Sequence, residues 1–280
     1  MRPGFSLGKS EPRLEPNLSV WRYDFATMNS NRIVIVSGAA QGIGRACATR
    51  FAQLGDHVLI VDRNLDGASK TAADLEAAGL KASALYCDVS SPDSVSQLVQ
   101  TVIERHGRID VLHNNAGMLI PGTALTQRLE DWDQTFLVNV RSILLMCRAV
   151  IPHMQAHGGG IIVNTASISG MIGEANLAAY NASKGAVINF TRQLAVDYAK
   201  DGIRVNCVCP GWVDTGFNDP IFVEAGMQAN AIAEMVKIWV PMGRQAVAED
   251  IAGSVLFLAS KDAEYITGHA LVVDGELTAQ

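Results

Sequence analysis

Short apolar, β-branched runs alternate along the chain with stretches whose apolar residues recur every three to four positions. Ile33-Val34-Ile35-Val36 is fully apolar and reads as a strand. Ile43, Cys47, Phe51 and Leu54 follow at helical spacing, and Gly55 stops them. Val58-Leu59-Ile60-Val61 predicts a second strand, and a helix through Leu75 and Ala78 ends at Gly79. Ala82 to Cys87 reads as a third strand. Ser91-Pro92 then opens a helix with the stripe Val95, Leu98, Val99, Val102 and Ile103. Residues 109–112 predict a fourth strand, 131–154 a long helix and 161–163 a fifth strand. Another helix over 178–200 leads to a sixth strand over 204–209. An irregular stretch precedes a helix over 249–259 and a last strand over 270–273.

Strands that alternate with helices predict a parallel sheet, because each return between parallel strands needs a crossover. The expected fold is therefore α/β, a Rossmann-type doubly wound sheet of about seven strands covered by helices on both faces. Residues 1–31, with Pro3, Pro12 and Pro16 and no helical period, read as an irregular tail without the apolar core of a signal peptide. Residues 32–280 read as one catalytic domain with a substrate loop over about 212–247.

Composition narrows the function. The 280 residues are 49% hydrophobic and carry a net charge of −6, which supplies a sizeable core but no basic face for nucleic acid. Continuous apolar runs are too short to suggest a membrane span. Cys47, Cys87, Cys147, Cys207 and Cys209 are scattered, and only the last two are close, so they read as buried reduced thiols of a cytoplasmic protein rather than a zinc site.

The segment Ser37-Gly38-Ala39-Ala40-Gln41-Gly42-Ile43-Gly44 joins the first strand to its helix. Glycine permits the tight turn, backbone approach to a pyrophosphate and close helix–strand packing, while the helix start offers free N–H groups. Asp62 ends the second strand, twenty residues past Gly42, where a carboxylate can accept from adenosine ribose hydroxyls and repel a 2′-phosphate. NAD is thus favoured over NADP, although Arg63 adjoins. Asp88, with Val89 behind it, is placed to reach the adenine edge.

From Arg32 to the C-terminus the sequence resembles the short-chain dehydrogenase/reductase family. The glycine turn is similar to the family's T-G-x-x-x-G-I-G, with serine leading. Asn114-Asn115-Ala116-Gly117 matches its N-N-A-G segment, and Asn139 stands where its catalytic asparagine does. Ser167, Tyr180 and Lys184 match its serine and Y-x-x-x-K pair, and Pro210-Gly211, Val213 and Thr215 match the segment that covers the nicotinamide. Glu276 departs from the second glycine that many members carry, which touches only C-terminal packing.

The resemblance implies hydride transfer between NAD and a secondary alcohol or ketone. Tyr180 would exchange the proton, its pKa lowered by Lys184 one helical turn away and by the oxidised nicotinamide. Ser167 would hold the substrate oxygen, and Asn139 would anchor a water relaying protons from Lys184. Lys184 would also bind the ribose. Trp212, Phe217, Ile221, Phe222, Met227, Ile232, Met235 and Trp239 crowd the substrate loop, with Lys237 the sole basic residue from 212 to 240, so a neutral, partly apolar alcohol or ketone is expected. A polyol, a sugar and an acyl thioester stay open. Likeness also implies a homotetramer paired through the helices over 131–154 and 178–200. An NAD(H)-binding sensor, or an isomerase or lyase on the same fold, is the alternative.

Overall fold

Among the described residues, seven strands form one parallel sheet: β1 (Ile33–Ser37), β2 (His57–Asp62), β3 (Ala82–Tyr86), β4 (Val111–Asn114), β5 (Gly160–Thr165), β6 (Ile203–Pro210) and β7 (Ala270–Val273). Their order is β3-β2-β1-β4-β5-β6-β7. The computed structural model describes residues 31–224 and 226–279. The tail expected over 1–31 therefore lies, up to residue 30, outside the described residues.

Alternation along each strand sends side chains to opposite faces. Ile33 and Ile35 join a core built with α3 (Pro92–His106), α5 (Ser142–Ala156) and α6 (Ala178–Tyr198). Val34 and Val36 join another, with α1 (Gly42–Gln53), α2 (Leu65–Ala77) and α9 (Ala248–Leu258). This double burial explains why the strands read as continuous apolar runs. Beneath the sheet's N-terminal edge, Arg32 donates to both carboxylate oxygens of the fully buried Asp56, at 3.1 and 2.7 Å, and to the Ala259 carbonyl at 2.6 Å. The ion pair survives burial because its polar atoms are satisfied.

Three expectations need correction. The fourth strand runs over Val111–Asn114, two residues later than the apolar run implied. The long helix extends from Leu129 through α4 (Leu129–Phe136) to the end of α5, and Leu137–Arg141 between them is π-helical. That wider turn contains Asn139, and an inserted residue of this kind leaves no mark in the apolar period. The stretch expected to be irregular contains α7 (Asp219–Glu224) and α8 (Ala229–Trp239). Ile232, Met235, Val236 and Trp239 keep helical spacing in α8, and Lys237 pairs with Glu234 at 2.7 Å.

The Leu129–Ala156 run is long and apolar enough by length and composition to cross a membrane. Its Ile143, Met146, Val150 and Met154 are instead core residues against the sheet.

Phe51 is fully buried on α1, with the Arg32 guanidinium 5.7 Å from its ring centre. Phe51→Ala is expected to cost about 3–5 kcal/mol in urea unfolding, through lost burial and a residual cavity.

Candidate active site

The crossovers leave β1 and β4 in opposite directions, which opens a crevice above their C-terminal ends. Ser37 ties the two ends together: its hydroxyl accepts from the Asn115 and Ala116 amides at 3.0 and 3.2 Å. The Asn115 side chain returns the tie, donating to the Ser37 and Gly38 carbonyls, each at 3.1 Å. Gly38 (φ +64°) and Gly42 (φ +56°) take left-handed conformations, and a methyl on Gly38 would lie 2.8 Å from Ala116 Cα. Gly44 packs against Gly38 and Asn115 beneath the turn, so it serves helix–strand approach and does not line the crevice.

A cavity of about 580 Å³ fills the crevice. Gly38, Gln41, Gly42 and Ile43 line it beside the first turn of α1, and Asn115, Ala116 and Gly117 line it beyond β4. Asp62, Arg63, Asp88 and Val89 form one end. The Asp62 carboxylate accepts from the Ala40 and Asn64 amides at 3.0 and 2.9 Å, which fixes its orientation. Asp88 accepts from the Ser90 hydroxyl and amide, and these bonds hold its carboxyl below the usual range, helped by Arg63.

Tyr180 and Lys184 rise from α6 at the other end, both buried, with the Lys184 ammonium 5.5 Å from the Tyr180 ring centre. The helix that carries them is fastened to the sheet by a buried polar seam. Asn114 donates to Asn164 and Asn164 to Thr191, each at 2.9 Å. Lys184 donates to the Thr165 carbonyl at 2.8 Å, and burial pulls its pKa down to about 8. Tyr180 goes the other way: burial pushes the phenol well above its ordinary value, a Ser167 hydrogen bond resists, and the Glu174 charge adds to the rise. In the cofactor-free chain burial is the largest influence on the phenol, which therefore lies above its ordinary value.

Ser167 begins a single helical turn after β5, accepting from the Ser169 amide at 3.2 Å. Asn139 is buried outside the cavity. Its amide accepts from Met118 N at 2.8 Å and donates to Met118 O and Ser183 Oγ at 2.9 and 3.0 Å. In this arrangement it braces the post-β4 loop against α6.

Pro210, Gly211, Val213 and Thr215 cross above the crevice, and Thr215 faces Gly42. Of the crowded substrate-loop residues, Trp212, Phe217 and Ile221 line the cavity. Phe222 stacks on Trp212 at 5.5 Å, and Trp239 meets Trp212 edge-on at 6.4 Å, so these rings support the wall from behind. Sequence reading missed Met118, Leu119, Ser169, Glu174 and Leu177 as lining residues. Their signal was proximity to the N-N-A-G segment and to the Ser167–Tyr180 interval. His113 on β4 is wholly buried, with Nε2 3.0 Å from Thr165 Oγ1, and burial lowers its pKa to about 3. All five cysteines are free and buried.

This geometry coincides with a family match over residues 38–278, to a model described as enoyl-(acyl carrier protein) reductase. The chain belongs to the short-chain dehydrogenase/reductase family. It is 39% identical to 2-(R)-hydroxypropyl-CoM dehydrogenase of Xanthobacter autotrophicus, over 89% of this chain and 99% of that protein. It is 37% identical to meso-2,3-butanediol dehydrogenase of Serratia marcescens, over 89% and 95% respectively. A crystal structure from Beutenbergia cavernae, described as an NAD(P)-dependent gluconate 5-dehydrogenase with NADP at low occupancy, superposes with a TM-score of 0.82. It shares 36% identity and covers 89% of this chain and 97% of its own.

Lys184 supplies a pH test of the cofactor-free chain. Its folded pKa, about 8, lies below the ordinary 10.5, so the buried ammonium opposes folding at neutral pH. That opposition fades as pH rises from about 8 to 10.5, where only the unfolded chain still holds the proton. Lys184→Met is expected to raise the melting temperature at neutral pH, with the gain shrinking through that window in a calorimetric pH series.

Proposed function

We propose that this short-chain dehydrogenase/reductase is an NAD-preferring enzyme that interconverts a secondary alcohol and a ketone. The observation that carries the reading is convergence: one cavity has the glycine turn and Asp62 at one end and Ser167, Tyr180 and Lys184 at the other. The relatives named as dehydrogenases of hydroxypropyl-CoM and butanediol support it.

The residues fit a nicotinamide dinucleotide. Gly38 leaves no room for a side chain beside Ala116, and the start of α1 presents amides to a pyrophosphate. Asp62 would bind the adenosine ribose hydroxyls, and its charge disfavours a 2′-phosphate. Pro210, Gly211, Val213 and Thr215 would cover the nicotinamide, and Lys184 would donate to its ribose. When bound, the oxidised ring supplies a hydride acceptor and a positive charge. Tyr180 exchanges the substrate's hydroxyl proton, and Ser167 hydrogen-bonds the same oxygen as charge develops on it. Asn139, through the widened π-helical turn, would place a water for proton exchange with Lys184.

Leu119, Leu177, Trp212, Phe217 and Ile221 make the substrate end largely apolar. Its carboxylate, Glu174, opposes an anionic substrate, so a neutral alcohol or ketone fits best. Buried free thiols suit a reducing compartment, and we place the protein in the cytoplasm. Exposed Leu129, Leu144 and Val196 lie on the helices through which a homotetramer would pair.

The test is nicotinamide absorbance with NAD and butane-2,3-diol, cyclohexanol or 1-phenylethanol, and with the matching ketones and NADH. Tyr180→Phe is expected to lower kcat by about 100-fold or more, and intact turnover would remove Tyr180 from proton transfer. Asp62→Ala is expected to lower the NAD-to-NADP ratio of kcat/KM by about tenfold, and an unchanged ratio would refute the NAD assignment.

A further inference from the structure

One carboxylate stands in the wall of the substrate end with an oxygen still unbonded. Glu174 lines the cavity together with Leu119, Leu177, Phe217 and Ile221, whereas the carboxylates of Asp62 and Asp88 lie at the opposite end. Its Oε2 accepts from the Ser169 hydroxyl, and Ser169 Oγ lies 3.0 Å from Ser167 Oγ. Among the described residues no hydrogen bond or salt bridge reaches Oε1. A carboxylate offers about four acceptor sites, so one serine leaves most of them for a ligand.

The segment that carries Glu174 is fixed from both sides. It turns back at Asn176, whose φ of +61° asparagine tolerates. There it pairs with the loop after β4: Gly122 N donates to the Asn176 carbonyl at 2.7 Å, and Ala178 N to the Gly122 carbonyl at 2.9 Å. From α6 the Asn181 side chain donates to the Glu174 backbone carbonyl at 2.8 Å. Glu174 is half-buried, and its charge adds to the rise of the Tyr180 phenol pKa. A carboxylate held in an apolar wall loses hydration, and a ligand that donates to it offsets that loss.

We propose that Glu174 recognises a second hydroxyl beside the reacting carbinol, which makes the substrate a neutral vicinal diol and the product its α-hydroxy ketone. The inference rests on the alcohol–ketone reading above. Ser169 bridges Ser167 and Glu174, so a substrate oxygen bonded to Ser167 has the carboxylate within reach of a hydroxyl on the adjacent carbon. The bond to Glu174 uses the Ser169 hydrogen alone, which leaves that of Ser167 for the reacting oxygen. The carbinol is oxidised through Tyr180 and the nicotinamide dinucleotide, and the second hydroxyl leaves unchanged. A hydroxyl suits this place better than an ammonium: Lys184 lines the same end, and with the oxidised ring it repels another positive charge beside the carbinol. Glu174 is thus a specificity-determining residue, and Ser169 positions it.

The experiment measures kcat and KM with NAD for butane-2,3-diol, butan-2-ol and 1-aminopropan-2-ol, in the unsubstituted enzyme and in Glu174→Leu, Glu174→Gln and Ser169→Ala. The unsubstituted enzyme is expected to favour the diol over butan-2-ol about tenfold or more in kcat/KM, mostly through KM. Glu174→Leu is expected to bring that ratio to about one or below, because the acceptor is gone. Glu174→Gln is expected to keep part of the preference, since a carboxamide oxygen still accepts. Ser169→Ala is expected to weaken it by releasing the carboxylate. Damage to packing would depress both alcohols together, so the ratio reads recognition and not folding. Equal kcat/KM for the diol and butan-2-ol in the unsubstituted enzyme would overturn the proposal while the alcohol–ketone reading stands, as would a diol preference that survives Glu174→Leu. A preference for the amino alcohol over the diol that vanishes in Glu174→Gln would overturn the hydroxyl assignment in favour of an ammonium. Inactivity on every probe alcohol and ketone would refute the functional reading and this inference with it.

Discussion

The reversal of winding direction between β1 and β4 is the constraint on which the site depends. Two adjacent parallel strands whose crossovers depart to opposite faces cannot have their C-terminal ends covered by the same connection. The gap they leave would expose backbone amides and carbonyls without partners. Here the gap is held at a fixed width by Ser37, which accepts two amides from beyond β4, and by Asn115, which donates two bonds back to the turn. Small residues above this tie keep the crevice open, and the start of α1 leaves its amides directed into it. Serine suffices in place of threonine here, because the bonds of the tie use the hydroxyl and not the methyl group.

The far end of the crevice is governed by burial. Lys184 and Tyr180 are withdrawn from water in the cofactor-free chain, and burial acts on each against its charged form: the ammonium pKa falls and the phenol pKa rises. Both groups are therefore closer to neutral than free side chains would be. A site in that condition gains when an oppositely charged or hydrogen-bonding ligand arrives. Tight placement is what makes the cost tolerable, and the Asn114–Asn164–Thr191 seam supplies it by anchoring α6 to the sheet.

The wall over the substrate is assembled in two layers. Trp212, Phe217 and Ile221 face the cavity, while Phe222 and Trp239 pack behind Trp212. Apolar side chains from the loops after β4 and β5 complete the enclosure. The relatives named for hydroxypropyl-CoM and for butanediol share the family but differ in the alcohol that their names give.

Much of this was legible in the residues themselves. Strands buried on both faces must be apolar throughout, so β1 and β2 could be read nearly to their ends, and the glycine turn, Asp62, Ser167, Tyr180 and Lys184 stood at recognisable spacings. The limits of β4 were less clear, because Ile109 is as apolar as a strand residue and His113 and Asn114 are polar yet buried. The π-helical turn at Asn139 was invisible because one inserted residue barely disturbs an apolar period, and α8 was hidden in a stretch taken as irregular. Ser169 and Glu174 lay within the Ser167–Tyr180 interval, but their contact with each other and their place in the cavity wall arise only when the segment after β5 folds back. Local sequence determined which segments become strands and helices and which residue types could perform redox chemistry, because backbone propensity and burial pattern act over short spans. Only the tertiary structure decided the direction of the hydrogen bonds and the sense of the Tyr180 and Lys184 shifts, because both depend on the distance and dryness of groups far apart in the chain.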